Sequence, residues 1–270
     1  KSVPFKMTPP TVVALNEAPT EKNTKPAHLQ VVPAEVLLAP KQKTKFRALA
    51  YDDKGRFLRE VEAAWSTDLA VEFNKAELVP ASSKGSQAGT VTATFETLKG
   101  VARVRVLAQA PWSEDFELTE EGKVPAYFVG HANKFSVQTK NGNKVLVKPP
   151  ATVGLNRSDL YLGGGNAQGY TMQADLLGTK KRQLPDMGLT AYRYTLDLMG
   201  VSQRLQLRTW GAELLEAKNV EFKWEQDVWY TMKLQVDFKG SKAIVHGKVW
   251  PRAEKEPEAW TITLEDDLPN

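Results

Sequence analysis

The segment Val-Trp-Tyr-Thr-Met-Lys-Leu-Gln-Val-Asp-Phe, residues 228–238, alternates without a break. Val228, Tyr230, Met232, Leu234, Val236 and Phe238 are apolar, and Trp229, Thr231, Lys233, Gln235 and Asp237 stand between them. Successive side chains of a strand point to opposite faces. A period of two held over this length therefore specifies a β-strand with one buried face, and it is incompatible with a helix, whose apolar residues recur every three or four positions. A turn at Lys239–Gly240–Ser241–Lys242 follows. Beyond it Ala243, Val245 and Val249 continue the inward row, while Ile244, His246, Lys248 and Trp250 point outward. The expected element is a long hairpin, apolar on one side and polar on the other.

The same alternation recurs along the chain. Tyr170, Met172, Ala174 and Leu176 oppose Thr171, Gln173 and Asp175; Leu205 and Leu207 oppose Arg204, Gln206 and Arg208; Phe46, Ala48 and Ala50 oppose Lys45, Arg47 and Leu49. No convincing amphipathic helix interrupts these strands, so an all-β protein is expected. At 270 residues the chain is long enough for two domains. Cysteine is absent, which excludes disulfides, thiol catalysis and cysteine-ligated metals. No run of apolar residues is long enough to span a membrane. The net charge of +4 is unevenly placed, with the basic excess in residues 1–108, but it forms no concentrated basic stripe, so no nucleic-acid partner is expected.

Residues 1–27 hold five prolines and little periodicity, and read as an extended linker. The chain opens on Lys1, so a piece of a longer or processed protein is expected. Residues 28–108 read as about seven short strands. Pro33 interrupts the first apolar run, which fits an edge or a switch between sheets, and Asp52–Asp53–Lys54–Gly55 reads as a turn. The stretches VVPAEVLLAPKQKTKFRALAYDDKGRFLREVEAAWS and GTVTATFETLKGVARVRV closely resemble bacterial immunoglobulin-like domains. That resemblance implies a small β-sandwich, a spacer or adhesive role, and Trp65 as its core tryptophan.

Residues 109–270 carry about twelve strands, enough for two sheets packed face to face. The stretches WSEDFE (112–117), GYTMQADLL, VWYTMKLQVDFKGSKAIVHGKVWP and AWTIT resemble the concanavalin/laminin-G-like jelly-roll family. The order of linker, Ig-like domain and jelly roll, with MGLTAYRYTLDLMG and KVWPRAEKEPEAW, also resembles the C-terminal region of exported bacterial proteins bearing a quinoprotein-type β-propeller. These resemblances imply a larger sandwich after the Ig-like one, an extracytoplasmic location (periplasmic, cell-surface or secreted) and an upstream propeller as partner. They place no quinone site in this chain.

A polar sheet face formed by Gln173, Asp175, Arg193, Arg208, Trp229, Lys233, His246, Lys248 and Trp250 is the candidate ligand-binding surface. Indole rings stack on pyranose faces and planar polar groups hydrogen-bond to hydroxyls, so the ligand expected there is a polysaccharide or other glycan. The alternative is a solvated or covered face on a structural, protein-docking module without a sugar site. A glycosidase is the third reading. It needs two carboxylates facing one bond, and no strand shows them at alternating positions; Asp175 and Glu221 are the remaining pair. His28, His131 and His246 are far apart and show no close-spaced metal signature. Catalytic residues are therefore not assigned. Glu114, Asp115, Asp266 and Asp267 are hard oxygen donors and the candidate ligands for calcium, the one ion the chain suggests; no other cofactor is expected. The glycine-rich run 160–170 reads as a wide turn or bulge, because a strand and not a helix follows it.

Overall fold

The structure, a computed structural model, describes residues 25–80, 85–150, 158–163, 167–209 and 216–267. Most of the expected linker, residues 1–24, and Gly164–Gly165 of the glycine-rich run lie outside these. The described residues form strands, turns and one short 3-10 turn at Ala132–Lys134, which agrees with the all-β expectation. The chain divides into two compact units, Lys1–Gly163 and Gly164–Asn270.

The first unit contains β1 (His28–Val32), β2 (Glu35–Leu38), β3 (Thr44–Lys45), β4 (Arg47–Tyr51), β5 (Phe57–Val61), β6 (Ala64–Thr67), β7 (Glu72–Asn74), β8 (Glu77–Val79), β9 (Gln87–Phe95) and β10 (Leu98–Val106). They form the sheets β1-β4-β5, β2-β10-β9-β6 and β3-β8-β7. Pro33 lies between β1, which pairs antiparallel with β4, and β2, which pairs parallel with β10. The residue without a backbone donor thus stands where the chain changes sheets. Phe46, Ala48 and Ala50 point inward as their alternation predicts, and Phe46 and Ala48 join Val31, Leu78, Val91, Ala93 and Val104 in the core. Trp65 packs half-buried against this core, between Phe46 and Phe73.

Four further strands, β11 (Val129–Gly130), β12 (Ser136–Lys140), β13 (Asn143–Val147) and β14 (Leu160–Tyr161), form two-stranded ribbons, β11-β14 and β12-β13. Among the described residues they do not extend any larger sheet, and residues 109–163 cluster with the first unit.

Among the described residues the second unit is a sandwich of eight strands: β15 (Thr171–Leu177), β16 (Met187–Ala191), β17 (Tyr194–Met199), β18 (Arg204–Thr209), β19 (Ala217–Glu221), β20 (Trp229–Lys239), β21 (Lys242–Pro251) and β22 (Ile262–Asp266). One sheet runs β15-β20-β21-β22 and the other is the meander β16-β17-β18-β19, all antiparallel. The hairpin turns at Gly240, whose φ of 62° suits a residue without a side chain. Met232, Leu234, Val236, Ala243 and Val245 are fully buried and meet Leu196, Leu198, Leu205 and Leu207 from the facing sheet. At roughly 1.5–3 kcal/mol for each large side chain, this inward row is a main source of the unit's stability. Gly247 completes the row on β21. A Cβ there would lie 2.6 Å from Leu196 Cδ1, so the leucine occupies the space a side chain would need.

Candidate functional site

The outward row of β15-β20-β21-β22 follows from the registers. Gln173 pairs with Lys233 and Lys233 with Lys248; Asp175 pairs with Thr231 and Thr231 with Trp250; Gln235 pairs with His246 and His246 with Thr263. Gln173, Asp175, Lys233, His246, Lys248 and Trp250 therefore share one face, as their alternation predicts, with Trp229 at one end of β20.

Arg193 and Arg208 do not join them. Arg193 lies in the β16–β17 turn, with its Nε 4.0 Å from Asp266 Oδ2. Arg208 lies on β18 of the facing sheet and donates from Nε to Asp197 Oδ2 at 2.8 Å. Alternation assigns a residue to one face of its own strand but does not say which sheet that strand enters. The two arginines belong to the other layer for that reason.

Exposure also departs from what alternation implies. Lys248 and Trp250 do point outward from the sheet, yet they are only 5% and 7% exposed. Lys248 is covered by residues 252–261, the connection from β21 to β22, which folds back over it as a strap, and the Trp250 ring lies between Lys233 and Lys248. Lys248 Nζ donates to the Pro257 carbonyl at 2.7 Å and lies 2.7 Å from Glu256 Oε1. It also sits 4.7 Å from the Trp260 ring centre and 5.8 Å from that of Trp250. Lys233 Nζ donates to the same Glu256 oxygen at 2.6 Å. A buried ammonium is tolerated only when paired and hydrogen-bonded, and the strap supplies the carboxylate, the carbonyl and an indole. Hydrogen bonds from Lys233, and then from Lys248, hold the Glu256 carboxyl below its ordinary value of 4.5.

The rest of the face is also engaged by its own chain. The His246 ring stacks on Trp260, with centres 5.1 Å apart, and its Nδ1 lies 2.9 Å from Thr263 Oγ1. Arg252 lies over the Trp229 ring at 5.0 Å, with Nη1 3.5 Å from Asp175 Oδ2, and Thr231 Oγ1 donates to Asp175 Oδ1 at 2.6 Å. Thr171, Gln173 and Asp175 on β15 remain exposed. Asp175 and Glu221 stand on different sheets, β15 and β19, so they do not form a carboxylate pair across one bond.

The calcium candidates have partners of other kinds. Glu114 accepts from the Phe116 N–H at 2.6 Å and from the Tyr127 hydroxyl, and Asp115 accepts from the Glu117 N–H at 3.1 Å. Buried Asp266 accepts from the Tyr194 hydroxyl at 2.8 Å, and burial together with that bond pushes the Tyr194 phenol well above its ordinary range. Asp267 lies 3.2 Å from Lys242 Nζ. Among the described residues no three His, Asp or Glu side chains are grouped to hold a metal. No helix among them is long and apolar enough to cross a membrane.

No family model matches the chain, and no curated protein matches it. The residues that alternation could not supply are Arg252, Glu256, Pro257 and Trp260, because a strap has no period. Their one signal is length. Two residues suffice to join antiparallel neighbours, whereas residues 252–261 join β21 to β22.

Proposed function

We propose that the chain is a non-catalytic β-sandwich module of an exported bacterial protein, acting as a structural and protein-interaction unit. The observation that carries this reading is the closed outer face of β20 and β21, where Lys248 and Trp250 are both buried and Lys248 is held by residues 252–261. A glycan lectin keeps its stacking ring open, and here the rings of Trp250 and Trp229 are already engaged by lysines and by Arg252. The separation of Asp175 from Glu221 supports the non-catalytic part. The Ig-like and concanavalin/laminin-G-like resemblances point the same way, toward a spacer that docks a β-propeller of the same protein. Glycan binding would have to use the exposed strip of Thr171, Gln173 and Asp175 beside Trp229.

Affinity-gel electrophoresis of the whole chain against neutral and acidic polysaccharides tests the reading. Unaltered mobility in every gel is the expected result. Retardation of the wild-type chain in any gel would overturn it, and loss of that retardation in Gln173→Ala or Trp229→Ala would put the sugar site on the exposed strip of β15.

A further inference from the structure

The strap has few fastenings for its length. Its backbone hydrogen bonds lie at the start, from the Arg252 N–H to the Trp229 carbonyl at 2.8 Å and from the Glu254 N–H to the Pro251 carbonyl at 2.9 Å. Pairing with β21 resumes only at Ile262, opposite Gly247. Between these ends the grip comes from side chains: the Glu256 carboxylate on two ammonium groups, the Pro257 carbonyl on one of them, and the Trp260 ring on His246 and Lys248. Residues 252–256, 258 and 259 are otherwise exposed.

We propose that residues 252–261 form an acid-sensitive latch, with Glu256 as the bolt, that keeps an aromatic and cationic face covered near neutral pH and releases it on acidification. The charges make this work. Lys233 on β20 and Lys248 on β21 face Glu256, and His246 on β21 faces the strap's Trp260. The strap itself carries Arg252, Glu254, Lys255 and Glu258, and Arg252 is paired with Asp175 on β15. Glu256 is the carboxylate that bridges both lysines. When it is protonated, two ammonium groups that share one oxygen lose their counter-charge, one of them at a buried position. The remaining low-energy arrangement lets water reach Lys248, and the strap must lift for that to happen. The sign follows from the lowered carboxyl pKa. The latch is fully fastened above the ordinary value of 4.5 and loosens as pH falls through the lowered one. Release would free Lys233 and Lys248, the two ammonium groups that flank the Trp250 ring, a surface suited to anions that stay charged in acid, such as sulfate or phosphate esters.

Hydroxyl-radical footprinting with peptide mass spectrometry reads the latch at single tryptophans. Trp224, buried in the core and hydrogen-bonded to the Met199 carbonyl, serves as the internal reference. Modification of Trp250 relative to Trp224 should rise severalfold in the wild-type chain on moving from neutral pH to well below the ordinary carboxyl value of 4.5. Glu256→Gln should show the raised value already at neutral pH and little further change in acid. Two outcomes would overturn the proposal: an acid response of equal size in Glu256→Gln, or a Trp250 that stays protected in both proteins at both pH values. If Glu256→Gln proves unstable, Lys233→Met removes one arm of the bolt and should raise Trp250 modification at neutral pH by a smaller factor. Full protection there would also refute the latch.

Discussion

Leu234 has no exposed surface and sits at the middle of β20, among Met232, Val236 and the leucines of the facing sheet. Replacing it with alanine removes three carbon groups from the core. At about 0.8 kcal/mol for each, the lost transfer energy is about 2.4 kcal/mol. The cavity left behind raises the total to roughly 3–5 kcal/mol, because strands held on both sides cannot collapse into it. With a urea slope of about 2 kcal/mol per molar, the midpoint should fall by roughly 2 M. The neighbouring Gln235 supplies the control. It faces outward, half-buried, and its amide donates to Asp237 Oδ2. Gln235→Ala should cost about 0.5 kcal/mol or less, a shift of roughly a quarter of a molar. Five of the seven tryptophans belong to residues 164–270, so tryptophan fluorescence follows the second unit selectively. Equal midpoint shifts for the two variants would refute the assignment of the Val-Tyr-Met-Leu-Val-Phe row to the core. So would an unchanged midpoint in Leu234→Ala.

Two further perturbations test other parts of the structure. Gly247→Ala pushes a methyl group against Leu196 Cδ1 and should destabilise the second unit by about 1–3 kcal/mol, whereas Gly85→Ala, which meets nothing within 4 Å, should leave thermal melts unchanged. In the β4–β5 turn, burial alone would raise the Asp52 carboxyl pKa, but hydrogen bonds from the Arg56 N–H and guanidinium and from the Lys54 N–H outweigh it and hold it below 3.8. That stabilisation is complete above 3.8 and disappears as pH falls through the lowered value, so circular-dichroism urea melts of Asp52→Asn should lose stability at neutral pH and show a flatter acid dependence than wild type. A parallel pH response in the two proteins would remove Asp52 from the account.

The division between what residue order decides and what packing decides runs along the hairpin 228–251. Period two assigned Met232, Leu234, Val236, Ala243 and Val245 to the core, and all five are fully buried. The same logic anticipated Phe46, Ala48 and Ala50, and proline's missing donor made Pro33 an edge or a switch between sheets, of which the structure shows the switch. These are local consequences of strand geometry and of a missing N–H, so the sequence alone carries them. Which layer a strand enters is not local: Arg208 has the right pattern and stands on the facing sheet, and Arg193 lies in the turn that joins two strands of that sheet. The same holds for exposure. Lys248 points away from the core, yet it is buried, because residues 252–261, which have no period of their own, return across the face and set Glu256 between two lysines. Alternation along the chain decides which side of a sheet a residue takes; only contacts between segments distant in space decide whether that side meets water.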